Sequence, residues 1–276
     1  MAISLLTNAA ATATQRHMTK SQRSLETNLG RLASGLRIVR ASDDAAGLAI
    51  SESLRAQIRS LSMARRNSAD GISLAQTAEG ALNEVHGLLM RMRELSVQAA
   101  NGTMDTTQRG MIDDEFTSLR SEIDRIAEVT DFNGMQLLST SASLDLQVGS
   151  NNGSDHRITV QLLDVHASQI ATGFETASLG SITGARMAMD TLDTAINTVS
   201  NYRSTFGVLQ NRLEVTMDRL HSAEENMGAA ESRIRDADVA TETSSMSRNQ
   251  ILMQSGVAML GQANQMPSMA MSLIGG

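Results

Sequence analysis

Two interleaved apolar rows in the second half of the chain constrain its fold more than any other feature. Leu192, Val199, Phe206, Leu213, Leu220, Met227 and Ile234 recur every seven residues. Ala195, Tyr202, Leu209, Thr216, Ala223 and Ala230 run beside them at offsets of three and four. This is the a/d seam of a coiled coil, sustained for six heptads. Asn197, Arg203, Gln210, Asp218, Glu225 and Arg233 flank it with polar side chains. A single helix cannot hide such a stripe, so the seam demands a partner.

The first half offers one. Ala75, Ala78, Leu82, Val85, Leu89, Met92 and Ala99 repeat the three-four spacing, and Leu54, Ile58 and Leu61 extend it upstream. The pattern predicts a helix from about Asp44 to about Asn101, stopped at Asn101-Gly102 by a left-handed glycine. A third helix is predicted from Thr106 to Glu128, with Ile112, Phe116, Leu119, Ile123 and Ile126 on one face. Each buried Leu, Ile or Phe contributes roughly 1.5–3 kcal/mol relative to exposure.

Asp131-Phe-Asn-Gly134 reads as a turn. Leu144, Leu146 and Val148, and then Ile158, Val160 and Leu162, alternate with polar residues around a turn-rich loop, which predicts one β-hairpin. Residues 164–183 are open between short strand and loop. The expected fold is mainly α: an elongated antiparallel helical bundle or coiled coil with one small hairpin and paired terminal helices.

Composition supports thin aliphatic packing. The chain has no Trp, one Tyr and four Phe, against 18 Met. The net charge of −7 disfavours nucleic acid. With no Cys, a disulfide scaffold, a thiolate-held zinc and a thiol nucleophile are excluded. Residues 1–15 are uncharged and the first basic residue is Arg16, which argues against a conventional cleaved signal. The uncharged stretch from Asn249 onward is broken by Gln, Asn, Ser and Gly, so no membrane span is expected.

The two ends, about 1–40 and 239–276, have weaker apolar faces. Ile3, Leu6, Ala10 and Ala13 are followed by Leu25, Leu29, Leu32 and Leu36. Ile251, Val257, Leu260, Asn264 and Met271 do similar duty at the other end. Such helices are marginal alone in water. The chain therefore reads as a protein that orders its ends by assembling.

Chemistry finds little support. His17, His86, His156, His166 and His221 never sit at the spacing of a helical metal pair. Asp43-Asp44 reads as a helix start and Asp113-Asp114-Glu115 as a solvated face or subunit contact. No P-loop, dinucleotide fingerprint or serine nucleophile motif is present, and neither an enzyme activity nor a cofactor is expected.

Arg31-Leu-Ala-Ser-Gly-Leu-Arg-Ile38 and Asp43-Asp-Ala-Ala-Gly-Leu-Ala-Ile50 resemble the amino-terminal block of bacterial flagellins. Asn67–Gln76, Glu79–Glu84, Arg91–Gln98, Glu122–Arg125 and Phe132–Gly134 continue the resemblance. Gln210–Leu213, Ala230–Asp238, Ala240–Glu242, Met246–Leu252 and Gln262–Gln265 resemble the carboxyl end of the family. The likeness covers about 1–138 and 185–276, and only a short stretch separates the two blocks.

The resemblance implies a short flagellin without large outer domains. By it, 1–43 and 239–276 are the helices of an inner core domain. Residues 44–238 form a rod domain, with the hairpin region at about 139–183. It implies a secreted homopolymer for swimming motility, exported unfolded by the flagellar type III apparatus. The implied partners are an export chaperone on the carboxyl-terminal segment, a filament cap and hook-associated proteins. Arg91, Leu95 and Glu115 are implied as a subunit contact, or as a patch that a host Toll-like receptor reads. The same architecture also suits a hook–filament junction protein or a secreted immune ligand.

Overall fold

Heptad spacing produces two very long helices. The computed structural model describes residues 8–274, with side chains over 8–265. Helix α1 is Ala9–Ser34, α2 Ala45–Ala99, α3 Thr106–Val129, α4 Ala167–Ile170, α5 Ile182–Arg235 and α6 Val239–Ile274. The strands are β1 Asp131–Phe132, β2 Met135–Gln136, β3 Ser143–Gln147 and β4 Arg157–Gln161. The fold is mainly α with two small antiparallel strand pairs. The described chain forms two compact units, one from its two ends up to Ala56 and from Asn226, the other spanning Gln57–Glu225.

In the second unit, the seam residues Leu82, Val85, Leu89 and Met92 of α2 are buried together with Leu192, Val199, Phe206 and Leu213 of α5 in one core. Leu220 is also buried. Beyond it the same rows continue at Ala223, Met227, Ala230 and Ile234 but are only half-buried. A heptad stripe is hidden only where another helix lies on it.

Polar bridges show that α2 and α5 run antiparallel. Arg65 pairs with Glu224 at 3.6 Å, the Gln210 amide donates to Glu79 at 2.8 Å, and Arg93 grips Asp193 at 2.6 Å. Helix α3 adds Ile112, Phe116, Ile123 and Ile126 to the same core. It starts with a capping box in which Asp105 accepts from the Gln108 N–H at 2.7 Å and the Gln108 side chain accepts from the Asp105 N–H at 3.2 Å.

Helix α2 ends by another device than the expected glycine. Gly102 is not among the left-handed residues. The Asn101 N–H instead turns tightly onto the Gln98 carbonyl at 3.2 Å, and its side chain accepts from the Thr103 N–H at 3.2 Å. The asparagine caps its own turn, so no positive φ is required.

The turn at Asp131–Gly134 closes a second, two-residue-strand hairpin. Asn133 and Gly134 have φ of 53° and 78°, the geometry of a type I′ turn. In the larger hairpin, β3 pairs β4 from Ser143↔Gln161 to Gln147↔Arg157. Its Ile158 and Val160 enter the core, with Leu144 and Leu146 packed against it, while Thr159 and Asp145 bond outside at 2.7 Å. The Asn67 amide of α2 anchors it by donating to the Gln147 carbonyl at 2.9 Å.

Residues 164–183 hold the single helical turn α4 rather than a strand. Helix α3 pins this segment. Asp124 accepts from the Ala167 N–H at 2.8 Å, and Asp113 accepts from the Leu179 N–H at 2.6 Å and the Ser178 hydroxyl at 3.0 Å. Asp113 is therefore engaged within the chain and part-buried, while Asp114 and Glu115 stay exposed.

Several carboxylates sit below their ordinary pKa range: Asp193 through Arg93, Glu122 through Arg125 and Glu52 through Arg235. A folded pKa below the unfolded one adds stability at high pH, and that stability is lost as pH falls through the folded value. The melting temperature is therefore expected to be level from about pH 8 to about pH 5 and to fall below about pH 4. Because these groups are exposed, the loss per pair is small. Circular dichroism melts across pH check this, and Asp193→Asn should shrink the acid loss.

Candidate functional site

The ends of the chain meet as an antiparallel pair. Asn8 caps α1 by accepting from the Ala11 N–H at 3.0 Å. Asp238 starts α6 by accepting from the Ala240 N–H at 2.9 Å and the Thr241 hydroxyl at 2.7 Å, and its pKa is lowered by the Thr241 side chain first. Contacts then advance along α1 as they retreat along α6. Arg31 pairs with Glu242 at 2.9 Å, Met18 lies against Gly256, and the Asn8 amide reaches the Ala263 carbonyl at 2.8 Å. Buried Asn28 lies between them, one end of its amide 2.8 Å from the Ser24 carbonyl and the other 3.1 Å from the Met246 N–H, so the orientation that satisfies both has nitrogen toward Ser24 and oxygen toward Met246.

The Asn8 bond explains how α6 passes Pro267. A helical proline has no N–H for the carbonyl four residues earlier. That carbonyl belongs to Ala263, and Asn8 of α1 donates to it instead. One side chain thus caps α1 and repairs α6. Asn8→Ala should cost about 0.5–2 kcal/mol locally. Peptide hydrogen exchange over 9–20 and 255–265 should quicken while 75–99 stays unchanged.

Below the pair, the link to the neighbouring helices is tight. Gly35 ends α1 with φ of 71°, the left-handed cap. Leu36 bridges Asp236, the Arg37 N–H donates to the Arg235 carbonyl at 2.6 Å, and the Ala237 N–H to the Gly35 carbonyl at 2.9 Å. Arg235 also reaches Glu52 at 2.6 Å. Asp44 is the cap of α2, accepting from the Gly47 N–H at 2.9 Å, while Asp43 accepts from the Val39 and Arg40 N–H groups and closes the preceding turn.

The pair leaves much of its apolar surface uncovered. Leu25, Leu32, Leu36 and Leu260 are half-buried. Leu29 is 49% exposed, Ile251 62% and Val257 61%, and Val239, Leu252 and Met259 join them. Exposed apolar residues lie all round α6, and its charges stop at Arg248. A helix apolar on every side belongs inside something larger. Ile3 and Leu6 lie outside the described residues, as do the side chains of Met266, Met269 and Met271.

The second predicted patch divides. Arg91 is exposed and holds two carboxylates, Glu115 at 2.9 Å and Glu94 at 3.1 Å, which raise its pKa, Glu115 first. Leu95 does not join that surface: it is 1% exposed and belongs to the core. The patch seen from outside is the Arg91–Glu115–Glu94 ion triad. The links between α1 and α6 and the Asp113 latch carry no local sequence signal, because their partners lie 65 to 255 residues away. Among the described residues no cluster of three His, Asp or Glu could hold a metal, and no helix is long and apolar enough to cross a membrane.

Together these features define a helical subunit whose ends form an apolar surface suited to packing among copies. The family model for the bacterial flagellin N-terminal helical region matches residues 5–143, and that for the C-terminal helical region matches 189–274. Flagellin of Halalkalibacterium halodurans is 48% identical over 259 residues, 94% of this chain and 93% of that one. Flagellin D of Vibrio cholerae is 32% identical over an alignment of 377 residues spanning both chains entirely, so this chain of 276 residues is a short form. The crystal structure of Bacillus cereus flagellin is 34% identical with a TM-score of 0.49, covering 60% of this chain and 94% of that one. The chain belongs to the bacterial flagellin family: it is a structural subunit of the flagellar filament, which lies outside the cell.

Proposed function

We propose that copies of this chain stack through the α1/α6 pair, and that the stacking orders both terminal segments. The observation that carries the reading is the uncovered apolar surface of the pair at Leu29, Ile251, Leu252, Val257 and Met259. Burying such surface is the main favourable term in association. The role is structural and involves no catalysis or cofactor. The marginal stability of the ends suits a subunit that leaves the cell unfolded through the flagellar type III apparatus, its carboxyl-terminal segment first covered by an export chaperone. It then adds beneath a cap, on a base of hook-associated proteins.

The exposed pair Arg91 and Glu115 supplies a contact between neighbouring subunits. On free monomer it is also what a host Toll-like receptor would meet, and a silent cell reporter assay would remove that second role. The assembly reading is tested by adding sheared filament seeds to purified monomer. Sedimentation and electron microscopy should show long filaments; monomer that stays soluble over every seeding condition would defeat it.

A further inference from the structure

All the sulfur in this chain is thioether, since it has 18 Met and no Cys. Its methionines differ sharply in access. Met92 is fully buried, whereas Met259 of α6 is 62% exposed. Leu252 lies one heptad before Met259 and is exposed too, so both sit on one uncovered stripe. Met18, Met246 and Met253 are half-buried within the unit that α1 and α6 form. Met111 and Met187 are exposed as well, but belong to the other unit.

We propose that Met259 is a redox modification site that gates subunit addition, an inference that rests on the assembly reading above. Hydrogen peroxide transfers one oxygen atom to the thioether, giving the sulfoxide and water. A thiol-dependent methionine sulfoxide reductase reverses it: two thiols become a disulfide and the oxygen leaves as water. The sulfoxide is polar and a strong acceptor, where the thioether was an adaptable apolar contact. Packing against another copy would bury that acceptor without a donor, which is unfavourable. Oxidised subunits therefore stay out of the polymer until reduced.

The test uses the full chain. Monomer is treated with limiting hydrogen peroxide to fewer than one sulfoxide per molecule, then seeded with untreated filaments. Pellet and supernatant are compared by peptide mass spectrometry. The Met259 sulfoxide is expected to be about tenfold scarcer in the pellet than in the supernatant. Treated Met259→Leu should enter filaments more fully than treated wild type. Equal occupancy of the Met259 sulfoxide in both fractions overturns this inference alone. Failure of untreated monomer to pellet overturns the assembly reading, and this one with it.

Discussion

A chain ending at Asp238 is expected to form no filaments at all. Removing 239–276 takes away α6 with its exposed Ile251, Leu252, Val257 and Met259. It also strips α1 of its partners in that helix pair, among them Glu242 for Arg31 and the Ala263 carbonyl for Asn8. Left alone, a 26-residue helix with a weak apolar face is marginal in water. Seeded sedimentation should then show no pellet, and the export chaperone should no longer bind. The core of the second unit lies within Gln57–Glu225, so cooperative melting should survive. Normal filaments from the truncated chain would sink the proposal; loss of cooperative melting would show that the ends do more than assemble.

The two units were legible to different degrees, for physical reasons. The α5 seam could be read because a seven-residue repeat marks one face wherever the partner comes from. Leu95 could not be placed that way. It lies beside the a/d rows of Leu89, Met92 and Ala99, where a two-helix seam would leave it open. Burial there requires further packing, and α3 and the segment it pins enlarge the same core. Asp113 was opaque for a related reason: its partners Ser178 and Leu179 are remote in sequence, and only the fold brings their donors to it. Two-residue strands carry no alternation, so β1 and β2 showed only their turn. Pro267 is the plainest case. Local chemistry argues for a break, and α6 continues because a side chain at the opposite end of the chain takes over the orphaned carbonyl.

Phe116→Ala is expected to give the largest loss of stability of any single substitution considered, about 3–5 kcal/mol. Phe116 is fully buried on α3 and meets Phe174 edge to face at 6.4 Å and 80°. Truncation removes the transfer term and leaves a cavity. It also leaves the Phe174 ring without its partner, a contact worth about 0.5–1.5 kcal/mol beyond area. The surroundings are poorly placed to collapse, since the Phe174 segment is fastened at both ends, by Asp124 to Ala167 and by Asp113 to Leu179. Against a typical total of about 5–15 kcal/mol, such a loss is severe. The chain lacks Trp, so urea unfolding is best followed by circular dichroism. Met111→Ala on the same helix is the control: its side chain is exposed, and the change should stay within about 0.5 kcal/mol. A loss below about 1 kcal/mol at Phe116 would mean that the pinned segment moves in to fill the space, contrary to the anchoring that the two aspartates provide.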